Sequence, residues 1–175
     1  MEQNVTTSIT KGVILGLILI VMGIAIYYLK IENPYVQWLT SLILVIGVII
    51  SILQYGKQIN YNSTFGNYFS HGFKVAAMVT LITVIYLIIF LTLFPDIKEK
   101  AIDTARKQME AKNNMTQAQI DKAIDLTTKF FMAFAVGFSL IGNLILGAIG
   151  ALIGAAITKK HPVTLQEEHL NQIGS

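Results

Sequence analysis

Four stretches of this chain, residues 13–29, 39–53, 75–94 and 130–157, carry no charged side chain. A helix crossing the hydrocarbon core needs roughly 17 to 25 apolar residues, because every backbone amide there must be bonded within its own helix. Three of the stretches meet that length outright or with slight extension, and the second does so by taking in residues at its ends. The sequence therefore predicts an all-α, polytopic membrane protein with four transmembrane helices at about residues 13–29, 37–54, 74–94 and 130–157, arranged as two antiparallel hairpins. Proton relays, ion-coupled transport and voltage sensing usually leave ionisable groups inside the membrane, and these four stretches offer none.

With 175 residues, of which 54% are hydrophobic and 13% charged, the whole chain reads as a single four-helix transmembrane domain with little mass outside the bilayer. The net charge of +3 does not indicate nucleic-acid binding. Seven of the thirteen basic residues lie between the third and fourth spans, interleaved there with six of the ten acids. Cysteine is absent, which removes thiolate metal sites, disulfides and cysteine nucleophiles. The first apolar run ends in Tyr27, Tyr28, Leu29 and Lys30 without a small-residue cleavage pattern, so it is expected to be a retained span.

The connections refine this layout. The first is too short for anything but a hairpin, and Tyr27, Tyr28, Tyr35 and Trp38 around it mark one membrane surface, where amphipathic rings favour the headgroup level. Ser63 or Thr64 is a plausible N-cap for the third helix. That helix opens with Phe65, Phe69 and Phe73 at intervals of four, and with Asn67, Ser70, His71 and Lys74 on a second helical face. This second face could hold a lipid headgroup, Lys74 supplying charge and the others hydrogen bonds; snorkelling interfacial residues would look the same.

Residues 96–129 form the one sizeable polar segment. Asp96 with Lys100, Asp103 with Lys107 and Arg106 with Glu110 stand at i, i+4 and predict a solvated helix. Thr116 and Gln119 have the capping-box spacing, and an apolar stripe then leads directly into the fourth span. One helix from about residue 117 to 158, on the order of 60 Å long, is expected to pair with the Asp96 helix as an extramembrane helical hairpin. The positive-inside rule is divided. The polar hairpin holds more cations, while Lys11 and the Lys159-Lys160 pair abut the outer ends of the first and last spans. The reading adopted puts the termini in the cytoplasm.

Small residues supply the association surfaces: Gly12, Gly16 and Gly23 in the first span, and Gly147, Gly150 and Gly154 in the fourth. Lipid tails are as apolar as the helices, so close backbone approach is a main source of helix association in a membrane. Packing inside the protein's own bundle is preferred over contact with a partner, because a four-helix unit already needs such seams. Asn143 in the fourth span and Thr80 and Thr83 in the third are expected to be buried polar groups acting as structural glue, with a permeation path as the alternative. The three histidines have no metal-ligand spacing, and Asp121 and Asp125 share a face as surface acids. No phosphate-binding glycine loop, nucleophile elbow or metalloprotease motif occurs. The chain is accordingly expected to be non-catalytic, with no cofactor and no metal.

The run Ser63-Thr64-Phe65-Gly66-Asn67-Tyr68-Phe69-Ser70-His71-Gly72-Phe73 before the third span resembles the signature [ST]-F-G-x-x-F-x-x-G-F of the domain of unknown function 4199 family. The capping segment 115–120 and the glycine-rich last span ending in Lys159-Lys160 are also similar to that family. The resemblance spans nearly the whole chain. It implies a small four-helix protein of the bacterial inner membrane, mainly from Bacteroidetes, with no catalytic residues to carry over. Association of such genes with membrane glycosyltransferases implies an accessory role in lipid-linked sugar transfer.

Three function classes follow. The first is a non-catalytic scaffold or accessory subunit that meets membrane lipids and either a membrane-protein partner or its own copies. The second is a small transporter or channel for a neutral or lipid-like substrate moving past Asn143, Thr80 and Thr83. The third, an enzyme on lipid-linked substrates, has only the Asn67 to Lys74 face to draw on.

Overall fold

The computed structural model describes residues 5–31, 33, 35–112 and 115–160. These form five helices: α1 Ser8–Tyr28, α2 Tyr35–Gln58, α3 Phe65–Leu93, α4 Pro95–Ala111 and α5 Gln117–Ile157. The fold is all-α. Helices α1, α2, α3 and α5 are long and apolar enough to cross a membrane, which makes this a multi-pass membrane protein.

Local signals account for most helix boundaries. Thr7 caps α1, its side chain accepting from the Thr10 amide at 3.2 Å. Thr64, not Ser63, caps α3 by accepting from the Asn67 amide. Both helices therefore start several residues before their uncharged stretches, which brings Lys11 into α1 and the 65–74 segment into α3. Pro95 occupies the first turn of α4, where its missing N–H costs nothing. The capping box at the start of α5 is complete: the Thr116 amide donates to Gln119 Oε1 at 2.8 Å, and the Gln119 amide to Thr116 Oγ1 at 3.4 Å.

The expectation of one uninterrupted final helix needs a correction. Phe130 has non-helical angles, φ −106° and ψ 15°, which kink α5 where its polar start meets its apolar remainder. Just before the kink, Thr127 and Thr128 donate their hydroxyls to the carbonyls of Ala123 and Ile124, both at 2.8 Å. Back-bonding of this kind loosens the i to i−4 ladder and bends helices.

The chain divides into two compact units. One runs up to Ile82 and resumes at Gly142; the other is Thr83–Ile141. The core of the first is a single cluster drawn from all four of its helical segments: Leu15 and Leu19 of α1, Leu44, Val48 and Ile52 of α2, Tyr68, Val75, Ala76 and Val79 of α3, and Ala151 and Ala155 of α5. Large apolar side chains also point outward, among them Leu17, Val21, Leu42, Ile145 and Leu152. In water such a surface would aggregate, whereas in a bilayer it is the lipid-facing side.

The second unit holds the end of α3 from Thr83, all of α4, and α5 as far as Ile141. Arg106 bonds Asp121 at 2.8 Å, tying the two helices together, and the Lys98 ammonium stands 5.9 Å from the centre of the Phe131 ring. Asp96–Lys100 and Asp103–Lys107 form as the spacing predicts, at 3.9 and 2.7 Å. Arg106 leaves its i, i+4 neighbour Glu110 for a carboxylate on the other helix. This tie is partly exposed, so Arg106→Ala is expected to cost under about 1 kcal/mol, and less at high salt. A melt of the purified protein at low and high salt checks this.

Candidate functional site: a polar cluster and an apolar cleft on the first unit

Three helices of the first unit bring polar groups together near the start of α1 and the end of α2. Lys11 is 6% exposed, and its ammonium donates to the Ser51 carbonyl at 3.0 Å. The Ser51 hydroxyl turns back on its own helix and donates to the Gly47 carbonyl at 2.8 Å. The ring of Tyr55 lies 5.9 Å from Lys11 Nζ, and His71 stacks on the same ring with centroids 4.0 Å apart and an 8° interplanar angle. Tyr68, fully buried, sets its ring edge-on to Tyr55 at 6.0 Å. Gln58 closes the outer end by exchanging two hydrogen bonds with Thr6, at 3.1 and 3.2 Å.

Two groups in this cluster are left over. His71 Nε2 and the Tyr68 hydroxyl are buried and have no hydrogen-bond partner among the described residues. Lys11 has no carboxylate within ion-pair distance among the described residues. Buried cations are normally paired, so this one stands out.

Beside the cluster, α1 and α2 enclose a cleft of about 360 Å³. Its α1 wall is Lys11, Ile14, Leu15 and Ile18, at the i, i+3, i+4, i+7 spacing of one helix face. The α2 wall repeats that spacing from Ile43 through Ile46, Gly47, Ile50 and Ser51 to Gln54. A Cβ on Gly47 would sit 2.5 Å from Leu15, so the absent side chain at this position lets Leu15 form the floor. Ile14, Ile18, Ile46 and Ile50 remain about half exposed, so the cleft opens on the outside of the unit.

The residues singled out from the sequence are distributed differently from that expectation. Asn67, Ser70 and Lys74 are exposed on α3, but His71 is buried and leaves their face. At about 100° per residue, His71 sits on the edge of that arc nearest Tyr68 and Val75, and stacking on Tyr55 draws it inward. Thr80 is buried and its hydroxyl donates to the Ala76 carbonyl at 2.8 Å, while Thr83 and Asn143, expected to be buried, are only half-buried. Lys11, read from the sequence as a flank of the first span, lies inside the helical unit. Its burial depends on Ser51 and Tyr55, forty and more residues away, so hydropathy along the chain carries no trace of it.

The glycines meet neighbours within the same unit. A Cβ on Gly12 would stand 2.6 Å from Met78 Cβ and 2.9 Å from the Val75 carbonyl oxygen, and one on Gly16 would stand 3.3 Å from Ile82. On α5, Gly150 approaches Val45 of α2, Gly154 approaches Ile49 and Ile52, and Gly147 faces Ala76 of α3. Gly23 is half-buried.

Compared with known proteins, residues 10–160 match the family model described as Protein of unknown function (DUF4199). No curated protein and no solved structure matches the chain.

Proposed function

The chain belongs to the DUF4199 family, and from that premise we propose that it is a non-catalytic accessory or scaffold subunit of the bacterial inner membrane. Its four spans form two antiparallel hairpins with the termini in the cytoplasm, and the α4–α5 segment is an extramembrane hairpin that contacts a membrane-protein partner or further copies of the chain. The observation carrying this reading is α4. Its seventeen residues include none that is buried, and the helix carries two ion pairs of its own and the Arg106–Asp121 tie. An ordered helix that keeps charged side chains such as Lys100, Asp103 and Glu110 exposed suits recognition.

Two further facts support the reading. Gly12, Gly16, Gly147, Gly150 and Gly154, which could have mediated assembly, instead face neighbours in their own unit, and this favours the polar helices as the contact surface. The pairing of Lys11 with Ser51 and of Leu15 with Gly47 runs in opposite senses along α1 and α2, as an antiparallel hairpin requires. A role beside lipid-linked sugar transfer is the finer version and rests on the family resemblance. The transporter reading is weaker, because the Thr80 hydroxyl donates its proton to the Ala76 carbonyl of its own helix.

The test is a pull-down from native membranes in mild detergent. It compares the intact chain with one lacking residues 96–114, and with the double variant Glu99→Lys, Glu110→Lys, which reverses charge at two exposed positions of α4. Co-purifying protein, or self-association seen as an oligomeric mass, is expected with the intact chain and lost in both variants. Recovery of the intact chain alone as a monomer sinks the proposal.

A further inference from the structure

We propose that the cleft between α1 and α2 binds one acyl chain of an anionic glycerophospholipid, with the lipid's phosphate held against the Lys11 ammonium. This site is distinct from the exposed Asn67, Ser70 and Lys74 face, and the inference does not depend on the partner reading above.

The cleft is amphiphilic in the same sense as such a lipid. Its apolar length runs along Ile14, Ile18, Ile43, Ile46 and Ile50, and its polar groups, Lys11, Ser51 and Gln54, gather at one end. From Ile43 to Gln54 the lining covers twelve residues of helix, a rise of about 16 Å. Lys11 stands near the start of α1 and Gln54 near the end of α2, so the polar end is the one near the helix termini and the membrane surface. The volume of about 360 Å³ falls within the ~300–1,000 Å³ of ligand-binding clefts.

Charge identifies the occupant. An ammonium has three N–H donors, and Ser51 takes one from Lys11. Lys11 lines the cleft, and no carboxylate pairs with it among the described residues. A cation withdrawn from water and left without a counter-charge is costly, and a lipid phosphate would neutralise it at headgroup depth. A neutral lipid would fill the apolar walls but leave that charge unmet. Free inorganic phosphate would meet the charge and leave the walls empty.

Native mass spectrometry of the detergent-purified full chain tests this, titrated with phosphatidylglycerol, with phosphatidylcholine of the same acyl chains, and with inorganic phosphate. Phosphatidylglycerol is expected to bind at least tenfold more tightly than phosphatidylcholine, and inorganic phosphate is not expected to displace it. Lys11→Met should abolish the preference and Lys11→Arg should keep it. Ile46→Trp, which places bulk in the cleft from an outward-facing position, should weaken phosphatidylglycerol binding at least fivefold. Equal affinity for the two lipids overturns the proposal, as does an unchanged preference in Lys11→Met or displacement of the lipid by inorganic phosphate. If Lys11→Met does not fold, Ile46→Trp decides: full retention of tight binding by that variant also overturns it.

Discussion

Gly147→Ala is expected to lower the unfolding stability of the protein by about 1–3 kcal/mol, the usual cost of overpacking a filled interior, and Ala76→Gly in the same chain is expected to restore most of it. The Cβ added at position 147 would collide with the Cβ of Ala76, while the Ala76 Cα lies 3.6 Å from it. One methyl therefore has room between these helices and two do not. Moving the methyl from residue 76 to residue 147 keeps the total packed volume. It also exchanges one helical glycine for another, so the intrinsic propensity terms of about 1 kcal/mol cancel. The measurement is a double-mutant cycle on thermal melts of the detergent-solubilised protein. A double variant no more stable than Gly147→Ala alone would remove this contact from the account. Gly12 and Gly150 offer no such repair. Their added Cβ atoms would meet backbone oxygens, those of Val75 at 2.9 Å and Val45 at 3.0 Å, and no substitution removes a carbonyl.

The second large effect is at Tyr68, where the ring and the hydroxyl are expected to behave oppositely. Tyr68→Ala should cost about 3–5 kcal/mol, as loss of a fully buried aromatic side chain does. Tyr68 is completely enclosed in the core of the first unit and packs edge-on against Tyr55. Tyr68→Phe should be neutral or slightly stabilising. The hydroxyl is buried without a hydrogen-bond partner among the described residues, and deleting an unsatisfied polar group removes a desolvation cost without removing a bond. Melts of the two variants beside the native chain separate these terms. A loss above about 1.5 kcal/mol in Tyr68→Phe would mean that the hydroxyl has a partner.

These two predictions rest on features of different visibility. A Cβ-free stripe at Gly147, Gly150 and Gly154 is readable as a seam, because spacing on one helix is local information. That Gly147 meets Ala76 is not readable, since many small residues on three other helices were equally available. Tyr68 illustrates the reverse difficulty. It lies within an aromatic segment that also reads as interfacial, and nothing in its neighbours separates it from Phe65 and Phe73, which stay exposed.

The amino-acid sequence by itself determined the helices, their approximate ends and the multi-pass class, because hydropathy, capping and i, i+4 pairing act over a few residues of one chain segment. The Thr116–Gln119 cap and the Asp103–Lys107 pair are of this kind. Only the tertiary structure decided which polar groups are inside. Lys11 is buried by Ser51 and Tyr55, His71 is turned from its polar face by the Tyr55 ring, and Arg106 is claimed by Asp121 over Glu110. Each outcome depends on a group on another helix, and for two closely spaced positions such as His71 and Lys74, only the packing of that helix decides which one is drawn from the surface.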